Sequence, residues 1–153
     1  MNIVFIKGAG KFDQMQTIRP GHSPEVIDCP KQGIIPHDMV HYAVEHTLDV
    51  RGFLARVRDG EAAGFQMQGE PLSDAVERLV EVVQGDGWSG GRSPAADLID
   101  MYRVTCDARA CPMLAIDEAD IAAVRATIAD LSARWEALPV GGRLELGFSH
   151  EPG

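Results

Sequence analysis

Pro36-His-Asp-Met-Val-His-Tyr-Ala-Val-Glu-His-Thr-Leu-Asp-Val-Arg-Gly-Phe-Leu-Ala-Arg-Val-Arg58 is where the chain changes its period. Upstream, short apolar runs are separated by turn residues. Here the apolar residues recur at helical spacing. At 100° per residue Met39, Ala43, Val50, Leu54 and Val57 share a face, with Val40 and Thr47 beside them. Asp38, Glu45, Asp49 and Arg56 lie opposite, on what reads as the polar side. Pro36 suits a first turn, where its missing N–H costs nothing. Asp38 favours the positive end of the helix dipole. Gly52 weakens the interior by about 1 kcal/mol against Ala, so a kink or early stop is expected near Val50.

Working back from this helix, three strands are expected: Met1–Lys7, Asp13–Arg19 and Glu25–Cys29. In the second, Met15, Thr17 and Phe12 are expected inside, against Gln14 and Gln16. Gly8-Ala-Gly10 and Pro20–Pro24 are turns between them. Working forward, Asp59–Pro71 reads as a polar loop. Leu72–Gln84 reads as a helix capped by Ser73 or Asp74, with Leu72, Val76, Leu79 and Val83 apolar. Gly85–Pro94 reads as a glycine-rich loop carrying Trp88, either a lid or an anchor. A helix capped by Ser93 follows to about Thr105, then a long one over Asp117–Leu138. Arg143–Phe148 alternates with period two, so Leu144, Leu146 and Phe148 should face inward. The tail from His150 should be loose.

Strands first, helices next and one closing strand define an α+β class. The expected fold is a small antiparallel sheet of three N-terminal strands plus the C-terminal strand, packed by about four helices. At 153 residues the chain reads as one domain over 1–153.

Composition excludes several classes of partner. A net charge of −9 with no Lys/Arg cluster argues against nucleic acid and against an anionic membrane surface. No apolar run approaches the roughly 20 residues of a membrane span, and the N-terminus lacks the pattern of a secretion signal. Three cysteines, an odd number, fit reduced thiols, and the expected location is cytoplasmic.

The chemistry concentrates on the opening helix. His37 and His41 stand one turn apart on the same face, and Glu45 extends that stripe by another turn. Two imidazoles and a carboxylate suit zinc, iron or manganese. The metal candidates are His37, His41, Glu45 and Cys29, with Glu77 or Glu81 of the next helix as more distant donors. The catalytic candidates are Asp38 and Glu45. A polar pair of His41 with Glu45 on a half-solvated face explains the same residues without a metal. His46 falls on the apolar side, as a core or interface histidine. Cys29 with His37 or His41 is also a conceivable thiolate–base pair. Cys106 and Cys111, four residues apart, are two helix-end thiols that could close a disulfide or act as soft ligands. Gly8-Ala-Gly10 lacks the remaining glycines of a nucleotide loop: Asp13 and Phe5 occupy those positions.

His37-Asp38-Met39-Val40-His41 is similar to the H-E-x-x-H motif of zinc metallopeptidases. That resemblance implies His37 and His41 as zinc ligands and Asp38 as general base. Asp38 stands where the family has Glu, and Thr47 stands at the metzincin third-ligand position. The run Cys29-Pro-Lys-Gln-Gly33 with Pro36–Glu45, together with Trp135 and Leu138–Phe148, also resembles an uncharacterised group of small bacterial proteins. Two functions follow as expectations. One is a bacterial domain that binds a small ligand or a protein without catalysis, alone or as a homo-oligomer. The other is a metal-dependent hydrolase built on the His37–His41 helix.

Overall fold

The structure is a computed structural model and describes residues 1–61 and 70–148. Most of the expected 59–71 loop, and the tail from residue 149, lie outside the described residues. Three strands come first, β1 (Asn2–Ile6), β2 (Phe12–Ile18) and β3 (Glu25–Pro30). Among the described residues five helices follow: α1 (His37–Leu48), α2 (Phe53–Arg58), α3 (Pro71–Trp88), α4 (Ala95–Arg109) and α5 (Glu118–Glu136). The strand β4 (Arg143–Gly147) closes the chain. The sheet is antiparallel throughout, in the order β3-β2-β1-β4. This is the α+β fold expected, with one more helix.

Register explains which residues enter the core. Phe5 faces Met15 on one side and Leu144 on the other, and Ile3 faces Thr17 and Leu146. Because strand side chains alternate, these residues share one face. That face packs against α1 and α5 through Met39, Ala43, Leu131 and Trp135. Phe5 and Trp135 meet edge-on, with ring centroids 6.5 Å apart. Parity also corrects one expectation: Phe12 falls with Gln14 on the outer face and is exposed. The inward residue there is Asp13, whose carboxylate accepts from the Gly8 N–H at 2.9 Å and from Lys31 at 2.5 Å. A Cβ on Gly8 would lie 2.0 Å from the Phe12 carbonyl oxygen, so this position serves a tight hairpin.

The opening stretch is two helices. Asp49 adopts a left-handed conformation (φ 53°) and ends α1, and α2 restarts after Gly52. This places Glu45 and Arg56, expected on the polar side, in the interior. His46, expected inside, is exposed and stacked on Tyr42 with centroids 4.9 Å apart.

α3 runs four residues further than its pattern suggests, through Gly85 and Gly87. Tertiary contacts hold that last turn. The buried Asp86 carboxylate accepts from Arg125 of α5 at 2.9 Å and from the Ser93 N–H at 3.3 Å. Ser93 therefore joins this lock rather than capping α4, whose N-cap is Pro94. Likewise α3 begins at Pro71 after Glu70, with no side-chain cap, and Leu72 is exposed. Trp88 ends α3, largely exposed, and its indole N–H donates to the Gln32 carbonyl at 2.9 Å. It anchors the β3–α1 loop. Among the described residues no helix is long and apolar enough to cross a membrane.

Candidate metal centre

α1 and α3 pack side by side and bring their polar positions together. His37 and His41, one turn apart on α1, face Glu77 and Gln84 on α3. His37 Nε2 lies 3.2 Å from Glu77 Oε1, and His41 Nε2 lies 2.5 Å from Glu77 Oε2. The two imidazole rings stand edge to face, centroids 5.0 Å apart. One ligand atom from each of His37, His41 and Glu77 lies within 4.8 Å of the other two.

The far nitrogen of each ring is already committed. His37 Nδ1 is 2.8 Å from Gln84 Oε1, which also accepts from Gln32 Nε2 at 3.0 Å. An amide oxygen can only accept, so His37 carries its proton on Nδ1. His41 Nδ1 is 3.1 Å from Glu45 Oε2, again an acceptor. Both rings therefore turn Nε2 toward the Glu77 carboxylate. An outer acceptor that fixes the tautomer and orients the ring is the usual support of a metal-ligating histidine.

Charge follows the same geometry. Burial works against a charged His41, but its hydrogen bonds to Glu45 and Glu77, reinforced by their charges, push it up to about 10. The Glu77 hydrogen bond raises His37 above the ordinary imidazole range, against burial and the neighbouring His41. Burial opposes ionisation of Glu77, yet the two imidazole hydrogen bonds hold it well below the ordinary carboxylate range. Without a metal the imidazoles therefore hold protons against the Glu77 carboxylate, and a metal ion would have to take the place of the protons on Nε2.

Glu45 has a different task from the one its spacing suggested. It is 0% exposed, and its oxygens accept from the backbone N–H groups of Gly52, Leu54 and Ala55, each at 3.0 Å. These are the unpaired donors at the start of α2. The carboxylate caps α2 from below and steadies His41 with the same Oε2. It supports His41 and leaves no oxygen for a metal. A Cβ on Gly52 would sit 2.7 Å from Glu45 Cδ and 2.6 Å from Val76 Cγ1, so only glycine admits this carboxylate.

Cys29 and Asp38 pair with each other instead of joining the histidines: the thiol donates to Asp38 Oδ2 at 3.6 Å. Burial, with Asp38 beside it, pushes the Cys29 thiol far above its ordinary range, so it is neither an activated nucleophile nor a ready ligand. Asp38 turns from the histidines because successive helix positions point 100° apart. Glu81 pairs with Arg78 at 2.9 Å, which leaves Glu77 as the carboxylate of the site. Gln84 was not anticipated. Its only sequence signal is its place seven residues after Glu77, two turns along the same face. Gln84 also lines a cleft of ≈ 330 Å³ whose apolar walls include Ile34, Val40, Val83 and Ile128.

No family model matches the chain, and no curated protein or solved structure matches it either. The chemistry of the site is therefore read from its own geometry.

Proposed function

We propose that this protein binds a divalent metal ion through His37 Nε2, His41 Nε2 and the Glu77 carboxylate. One observation supports this most: each histidine has its Nδ1 held by an outer acceptor, Gln84 or Glu45, while both Nε2 atoms converge on one carboxylate. Two imidazoles and one carboxylate match iron(II), manganese(II) or zinc, and leave coordination positions for water or a small ligand. The His37 and Glu77 side chains are 36% and 31% exposed, so those positions open toward solvent. The neighbouring apolar cleft favours a small ligand over a macromolecule. The hydrolase alternative loses both of its expected bases, since Asp38 faces Cys29 and Glu45 caps α2.

Metal-free, the same geometry holds protons in place of the ion, with His41 as an imidazolium between two carboxylates. Elemental analysis and calorimetric titration with Zn²⁺, Mn²⁺ and Fe²⁺ separate the two. The expected result is one ion per chain and a higher melting temperature, about 2.7 kcal/mol of stabilisation at a hundredfold excess over Kd. His37→Ala and Glu77→Gln should each weaken binding by at least about 100-fold. Wild-type protein that purifies without metal and melts unchanged with all three ions would remove the proposal.

A further inference from the structure

The C-terminal turn of α4 places two thiols against each other. Ala110 is left-handed (φ 52°) just past the helix. The Cys111 N–H donates to the Cys106 carbonyl at 3.1 Å, and the Ala110 N–H to the Asp107 carbonyl at 3.3 Å. This pair of bonds defines a Schellman motif, in which the residue two past the helix end packs on the residue three before it. That contact is frequently between two apolar side chains. Here those two positions are Cys106 and Cys111, which pack into the same apolar cluster, and the Cys111 thiol is close enough to act on Cys106. Cys106 is 1% exposed, while Cys111 is only half-buried.

We propose that Cys106 and Cys111 form a reversible dithiol–disulfide pair, oxidised by hydrogen peroxide, that locks the C-terminal turn of α4. The backbone motif already brings the partners together, so closure needs side-chain rotation and no refolding. Cys111 is the sulfur that an oxidant reaches. Its thiolate attacks peroxide, the O–O bond breaks, and Cys111 becomes a sulfenic acid; the thiol proton leaves with hydroxide as water. The Cys106 sulfur then attacks the Cys111 sulfur. The S–S bond forms, the S–O bond breaks, and hydroxide leaves with the Cys106 proton as a second water. Two thiols lose two electrons, and one peroxide gains them. Cys29 takes no part, because it is buried on the sheet beside Asp38.

The lock sits at a junction. Tyr102, one turn back on α4, donates its hydroxyl to the Ala75 carbonyl of α3 at 2.8 Å and accepts from the Leu114 N–H at 3.2 Å. Oxidation would fasten the segment leading to Leu114 at a second point. The closed ring is short, so little chain entropy is removed from the unfolded state. Thiol count is therefore a better readout than melting temperature.

The test treats folded protein with hydrogen peroxide, quenches it, unfolds it and titrates thiols. Titratable thiols should fall from three to one per chain, with a loss of two hydrogens in intact mass. Peptide mapping should join Cys106 to Cys111, and dithiothreitol should restore all three. Cys111→Ser, at a half-buried position that tolerates a hydroxyl, should keep both remaining thiols through the same treatment. Three thiols surviving in the wild type would overturn the proposal. So would a stable Cys111 sulfenic acid beside an unreacted Cys106, or a crosslink through Cys29 or between chains.

Discussion

Glu45 is the residue on which the site and the backbone meet. A buried carboxylate is costly unless its lone pairs are filled, and here three backbone donors and an imidazole fill them. Glu45→Gln keeps the size but turns an amide N–H₂ toward donors. It should cost roughly 3 kcal/mol in urea denaturation. It should also weaken metal affinity by about 10- to 100-fold without abolishing binding, since it orients a ligand and is not one. Glu77→Gln should show the opposite balance, losing the metal with less effect on the fold. The spacing of His37 and His41 made them legible as a pair. The use of Glu45 was not legible, because its partners are backbone N–H groups that any sequence carries. Only the chain reversal at Asp49–Gly52 brings them within reach.

Among the elements, α5 is the one most fully specified by local rules. Asp117 accepts from the Asp120 N–H at 2.9 Å, and the Asp120 side chain accepts from the Asp117 N–H at 3.0 Å, a closed capping box. Asp117→Ala should cost about 1 kcal/mol of stability, read as a lower urea midpoint with an unchanged slope. The first and second predicted helices were less complete. Gly52 marked the weakness that separates α1 from α2, but not the left-handed Asp49 that ends α1. Gly85 and Gly87 looked like loop residues, yet they lie in α3 because Asp86 is pinned to Arg125. Local propensity is small beside a partly buried ion pair and the packing around it.

Across the whole molecule, closure by β4 ties the first strand to the last. The Met1 ammonium donates to the Phe148 carbonyl at 3.2 Å, and Tyr42 of α1 donates to Gly147 at 3.0 Å. Stability against pH is set at this scale too, because the α1–α3 contact holds the His41–Glu77 interaction. Glu77 titrates lower in the fold than its ordinary 4.5, so its contribution is present above that pH and is lost as pH falls. His41 titrates higher, near 10 against 6.5, so its contribution is complete below 6.5 and is lost as pH rises toward 10. Metal-free protein should be most stable between about 4.5 and 6.5, the acid limb reporting Glu77 against His37 and His41 and the alkaline limb His41 against Glu45 and Glu77. Urea midpoints across pH in a chelator would measure this, and Glu77→Gln should remove the acid limb while only reducing the alkaline one, which Glu45 still supports.

By itself the sequence determined the class of fold: alternation in the strands, helical spacing after Pro36 and a final period-two strand allow one sensible arrangement. It also determined that two histidines share a helix face, since that depends only on the helical repeat. The tertiary structure alone decided what those histidines meet. Glu77 and Gln84 come from another helix, more than thirty residues on, and Glu45 is aimed by a break between helices. Periodicity gives the face a residue lies on. Which side chain stands across from it depends on how α1 and α3 pack, and that is set by the whole core.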